Sequence, residues 1–112
     1  MRVEKKHTAL EMGSGDMEVF ATPCMVALME NAAMNEAAKL CDEGMTTVGI
    51  MINVAHNRAT PLGDEVSAVA ELVAQEGRKL TFKVIASDSK GEIGCGTHQR
   101  FIVEREKFLG KL

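Results

Sequence analysis

Tryptophan and tyrosine are absent from the 112 residues, and phenylalanine appears four times. With so few flat aromatic side chains there is no platform on which nucleic-acid bases could stack. Basic blocks are missing too: thirteen Lys and Arg face sixteen Asp and Glu, a formal charge of −3. A mildly acidic chain has little to attract a phosphate backbone or an anionic membrane surface, so neither is expected as a partner. The longest apolar run, Cys24 to Met29, stops at Glu30 and is far too short to span a bilayer. The charged start Met1-Arg2-Val3-Glu4-Lys5-Lys6 leads into no apolar segment, so no signal peptide is expected. Cysteine is scarce: Cys24, Cys41 and Cys95 lack CxxC spacing, which argues against a disulfide framework or zinc knuckle and for a reducing cytoplasm. His7, His56 and His98 show no HxH or HxxxH spacing, so no metal site is expected. The glycines form neither GxGxxG nor GxxxxGK[ST], so nucleotide binding of those kinds is unsupported.

What is present is ordinary globular composition, 46% hydrophobic and 26% charged, enough for one domain over residues 1–112. Eight methionines suggest an adaptable core. Residues 3–12 are expected to form a first strand, and Gly13-Ser14-Gly15-Asp16 breaks the chain. Thr22-Pro23 then opens a helix that runs to about Asp42, with Gly44 as its stop. Four further strands follow, over 46–55, 65–75, 80–86 and 93–104, separated by turns at 76–78 and 87–91. Five strands and one helix make a two-layer α+β domain.

The helix is the informative element. Between Ala21 and Met34 its only polar side chains are Thr22, Glu30 and Asn31. A helix apolar nearly all round must be buried nearly all round. One flat sheet cannot do that, so the sheet must curl around the helix or a second copy must cover the rest. The hotdog fold, a curved antiparallel sheet wrapped round a central helix and usually completed by dimerisation, meets both needs.

Within that helix a lone carboxylate is costly, so Glu30 is exposed on a narrow stripe, paired, or retained for chemistry. Thr22 reads as an N-cap, and equally as a side chain at a positive helix end where an anionic intermediate would be welcome. His56 closes an apolar strand, where it is either partly exposed or a general acid or base. Cys24 near the helix start is an acidified thiol or a small packed residue.

The run Glu18-Val19-Phe20-Ala21-Thr22-Pro23, followed by Met25-Val26-Ala27-Leu28-Met29-Glu30-Asn31-Ala32, closely resembles the fluoroacetyl-CoA thioesterase-like family of hotdog proteins. The likeness extends through Val48-Gly49, His56, Thr60-Pro61-Leu62-Gly63 and Gly77 to Phe82, and closes on Gly94, Gly96-Thr97-His98 and Arg100. It covers nearly the whole chain. The resemblance implies hydrolysis of an acyl-CoA thioester by a homodimer, or dimer of dimers, with active sites at the subunit interface. It implies Thr22, Glu30 and His56 as catalytic residues and Gly49 as a lining of the site. No cofactor is implied, since coenzyme A is part of the substrate.

Spacing adds an independent argument. Thr22 and Glu30 are eight residues apart, about 12 Å of helical rise. Their side chains can hardly meet within one chain, so a shared site pairs Thr22 of one subunit with Glu30 of the other. Glu30 is then a nucleophile or a general base, and His56 orients water or protonates the leaving thiol. Backbone N–H groups near Thr22 and Pro23, or that of Gly49, are candidates for holding the thioester oxygen. Arg58, Arg78, Lys79 and Arg100 are candidate partners for CoA phosphates. Two departures stand out. The fluoroacetyl-selective type is expected to carry aromatics before the helix, yet none precedes Phe20, so marked fluoroacetyl preference is not expected. Cys95 stands where relatives carry an acidic residue. The competing function is an acyl-CoA binding or sensing module with little hydrolysis.

Overall fold

The computed structural model describes residues 1–112. Four antiparallel strands, β1 (Met45–His56), β2 (Ser67–Glu76), β3 (Lys79–Asp88) and β4 (Gly91–Glu104), form one sheet in the order β1-β4-β3-β2. The long helix α2 (Thr22–Ala38) lies on one face. This is the expected α+β hotdog arrangement, with four strands rather than five.

The missing strand is the expected first one. Residues 3–12 fold instead into a 3-10 turn, Lys5–His7, and a short helix α1, Ala9–Met12. The reason is legible at Thr8 and Glu11, which carry the Ser/Thr-x-x-Glu signature of a helix start. The Thr8 hydroxyl accepts from the Glu11 N–H at 3.4 Å. Gly13, at φ 75°, closes the turn in the left-handed region. Only the isolated bridges Arg2–Glu65 and Thr8–Phe20 tie this segment down in strand fashion. At the other end a short helix α3 (Arg105–Gly110) follows β4, and the sequence reading had not foreseen it.

The core forms where β3 alternates. Leu80, Phe82, Val84 and Ala86 all point at α2 and are buried. They meet Met25, Met29, Ala33 and Ala37, spaced four apart along one stripe of the helix. Beyond that stripe the helix is uncovered. Pro23, Ala27, Met34 and Ala38 are exposed, so one chain leaves much of this apolar helix facing solvent. Gly94 lets β4 close on β1 beneath the helix: a Cβ there would lie 2.5 Å from the Ala55 carbonyl and 2.7 Å from Met25 Sδ.

Strand β1 is an edge strand, paired only with β4. It carries no Lys, Arg, Asp, Glu or Pro. Ile50 and Ile52 are exposed along it.

Candidate active site

Thr22 is the first residue of α2, not its cap. The N-cap is Ala21, which has no side chain to cap with, and Pro23 takes an opening position where its missing N–H costs nothing. The N-cap reading of Thr22 therefore fails, and the hydroxyl is free for another partner. It finds Nδ1 of His56, the last residue of β1, at 2.7 Å. When the hydroxyl donates to Nδ1, the proton of the neutral imidazole sits on Nε2. Nε2 is buried and meets no partner at hydrogen-bond geometry. Burial pulls the His56 pKa below 6.5, opposed by a contact with the Arg58 backbone. The ring is thus favoured as a neutral base.

Thr22 and His56 line a cavity of about 230 Å³ together with Ala9, Ser14, Val19 and Phe20. Phe20 is the only aromatic residue there.

Glu30 lies elsewhere. It borders a second cavity with Gly49, Ile50, Ile52 and His98, of about 290 Å³. A Cβ on Gly49 would stand 3.0 Å from Glu30 Oε2, so the glycine makes room for the carboxylate. Arg100 Nη1 lies 3.8 Å from the same oxygen. Within one chain the structure brings together Thr22 with His56, and Glu30 with Gly49, but not the two pairs.

Two of the candidate phosphate cations are committed inside the protein. Arg100 is buried, donating from Nε to Thr47 Oγ1 at 2.8 Å and from Nη2 to the Thr47 carbonyl at 3.1 Å. Burial lowers its pKa, and the Glu30 carboxylate pushes it back up. Arg100 Nη1 also reaches Nε2 of buried His98 at 3.2 Å, while His98 Nδ1 bonds the Met51 carbonyl at 2.7 Å. His98 thus accepts from Arg100 at Nε2 and donates from Nδ1 to the Met51 carbonyl, and it steadies Arg100.

Arg58 forks onto Asp88 at 3.1 and 2.7 Å and gives a further bond to the Gly91 carbonyl. Asp88 also accepts from Thr60 Oγ1 and the Lys90 N–H, each at 2.8 Å. Its side chain is 1% exposed. The Arg58 hydrogen bonds outweigh burial and, with Thr60 and Lys90, lower the Asp88 pKa from 3.8 to about 2. Lys79 pairs with Glu76 at 3.7 Å, and Arg78 is exposed. Burial raises the Cys24 pKa, which removes the acidified-thiol reading. Cys95 lies on the strand face away from α2, with no contact that explains it.

Sequence reasoning missed His98, Thr60 and Asp88. The signal for His98 was strand parity. His98 and Arg100 alternate with buried Ile102 and pair with Phe82 and Leu80, so they face the core. Local sequence marks Asp88 only as a turn residue that accepts the Lys90 N–H; its side-chain partners come from a segment 28 and 30 residues away.

The family described as fluoroacetyl-CoA-specific thioesterase matches residues 3–106. A fluoroacetyl-CoA thioesterase from Streptantibioticus cattleyicolor is 45% identical over 95 residues, which is 85% of this chain and 68% of that protein. A solved structure of the fluoroacetyl-CoA thioesterase FlK superposes with a TM-score of 0.91 at 38% identity, covering 99% of this chain and 87% of the other. TTHA0967 of Thermus thermophilus, a thioesterase superfamily member, gives a TM-score of 0.90 at 26% identity, covering 98% of this chain and 82% of its own.

Proposed function

The chain belongs to the fluoroacetyl-CoA-specific thioesterase family and hydrolyses an acyl-CoA thioester to a carboxylic acid and free CoA, and from that premise we propose a two-subunit active site. Thr22 and His56 come from one subunit, Glu30 and Gly49 from its partner. The observation that carries this reading is the buried Nε2 of His56, a donor without an acceptor on a ring whose other nitrogen already holds Thr22. A buried unmet donor costs about 1–3 kcal/mol. Because Nε2 has no exposed surface within one chain, the partner's Glu30 carboxylate relieves that cost as the ring or its cover shifts on association.

The means of association is on the same strand. The uncharged free edge of β1 invites pairing with a second β1. An antiparallel pairing centred near Asn53 sets His56 beside the Gly49–Ile50 end of the partner's strand. It also brings a second molecule toward the uncovered helix.

Chemistry follows from the assembled groups. The partner's Glu30 holds the Nε2 proton and stabilises the imidazolium that forms. Nδ1 takes the Thr22 proton as Oγ attacks the thioester carbonyl. Free N–H groups in the first turn of α2, with the partner's Gly49, hold the oxyanion. His56 returns the proton to the departing CoA thiolate, then draws one from the water that attacks the Thr22 ester and passes it to Thr22 Oγ as the carboxylic acid leaves. No separate cofactor takes part. No helix is long and apolar enough to cross a membrane, and the three unpaired cysteines suit a reducing cytoplasm.

The test is release of free thiol from a panel of acyl-CoAs by wild type and Glu30→Gln. We expect steady hydrolysis by wild type and a loss of about a hundredfold or more in the variant. Near-wild-type turnover by folded Glu30→Gln would remove Glu30 from the site.

A further inference from the structure

Asp88 is a nearly fully buried carboxylate that touches neither Thr22 nor Glu30, yet both of its side-chain partners lie on the segment leaving His56. Arg58 stands two residues past His56 and forks onto it, and Thr60 gives it a hydroxyl hydrogen bond. The same segment is fixed below by the N–H groups of Asn57 and Arg58, which both donate to the Ile93 carbonyl, at 2.7 and 3.2 Å.

Thr60 has a second attachment. Its carbonyl accepts the N–H of Phe20 at 2.9 Å, and Phe20 stands two residues before Thr22. One carboxylate is therefore linked to both ends of the Thr22–His56 hydrogen bond. It reaches the His56 side through Arg58 and the Thr22 side through Thr60. Arg58 itself borders the cavity that Thr22 and His56 share.

We propose that Asp88 is the positioning residue of the Thr22–His56 pair, holding the hydroxyl and the imidazole at reacting distance through Arg58 and Thr60. The proposal rests on the thioesterase site described above. A site of this kind must be held to about half an ångström, and a loop alone does not give that precision. A buried carboxylate with four hydrogen bonds to three residues, all in place before substrate arrives, does.

The test compares wild type with Asp88→Asn, which keeps the shape but loses the charge. Three readings are made: kcat and KM separately on acyl-CoA with thiol detection, the His56 titration by NMR of the imidazole, and thermal melting. We expect kcat to fall about ten- to a hundredfold with KM changed by less than about threefold. We also expect the His56 midpoint to shift toward that of an exposed histidine. A variant that melts lower, yet keeps wild-type kcat per folded molecule and an unmoved His56 titration, makes the ion pair a mere staple and overturns the proposal. If Asp88→Asn does not fold, Thr60→Val decides by the same readings, with Thr60→Ser expected to restore most of what Thr60→Val loses. If wild type hydrolyses no acyl-CoA, the functional reading fails, and the His56 titration still decides whether Asp88 positions the ring.

Discussion

Mixing two dead enzymes tests which chains build the site. Thr22 and Glu30 are separated by about 12 Å along α2, while Thr22 and His56 touch at 2.7 Å in one chain. Thr22→Ala and Glu30→Gln are unfolded together in equal amounts and refolded. About half of the dimers are then mixed, and each mixed dimer holds one doubly defective site and one intact site. About a quarter of wild-type activity should return. Each parent alone should keep about one per cent or less, so the recovery stands about 25-fold above background. The pair His56→Ala with Glu30→Gln should recover equally. Thr22→Ala with His56→Ala should recover nothing, because those residues serve the same site from the same chain. Thiol release gives the rate, and mass spectrometry of differently tagged chains confirms exchange. Confirmed heterodimers without recovery in the first mixture, or with recovery in the control, would refute the two-subunit site.

Gly49→Ala should lower kcat by about tenfold or more without unfolding the protein, because its new methyl falls 3.0 Å from Glu30 Oε2 and 3.3 Å from His98 Cε1; steady-state kinetics with a melting curve checks it. Fluoroacetyl-CoA should not exceed acetyl-CoA by a thousandfold in kcat/KM, since that needs about 4 kcal/mol of discrimination and the Thr22 cavity has only Phe20 as an aromatic wall. Activity should fall in acid as the His56 ring takes up a proton; burial within one subunit favours the neutral ring and the partner's Glu30 favours the charged one, so NMR of the imidazole should show a lower His56 midpoint in Glu30→Gln than in wild type. Within one subunit burial makes the folded state resist protonation of His56, so acid opposes folding of the separated subunit. Asp88, lowered from 3.8 to about 2, adds a further loss between those values, visible as a falling melting temperature.

Much of this was legible in the residues. β-branched residues marked β1 and alternation marked the other three strands, and the apolar helix demanded more cover than one sheet supplies. The expected first strand is absent because Thr8, Glu11 and Gly13 are the start and stop signals of a short helix, on so short a scale that they pass for a break. Thr22 and His56 were each legible as candidates, but their contact was not. It depends on where α2 starts relative to the end of β1, which tertiary packing decides. Arg58 and Arg100 looked like free cations because a sequence does not show the carboxylates, hydroxyls and carbonyls that claim them.

The bare edge of β1 bears on how the molecule comes to exist at all. Proteins usually protect such edges with a lysine, a proline or a bulge that twists the strand away. Here only the irregularity between Gly49 and Met51 interrupts a twelve-residue uncharged strand. On the two-subunit reading proposed above, a freshly made chain carries an adhesive border until a second chain arrives. Its maturation is a second-order process, faster at high concentration and hazardous under dilution or heat, when the border is free to meet the wrong strand. In that assembly the strand that brings His56 to its carboxylate is also the one most in need of company.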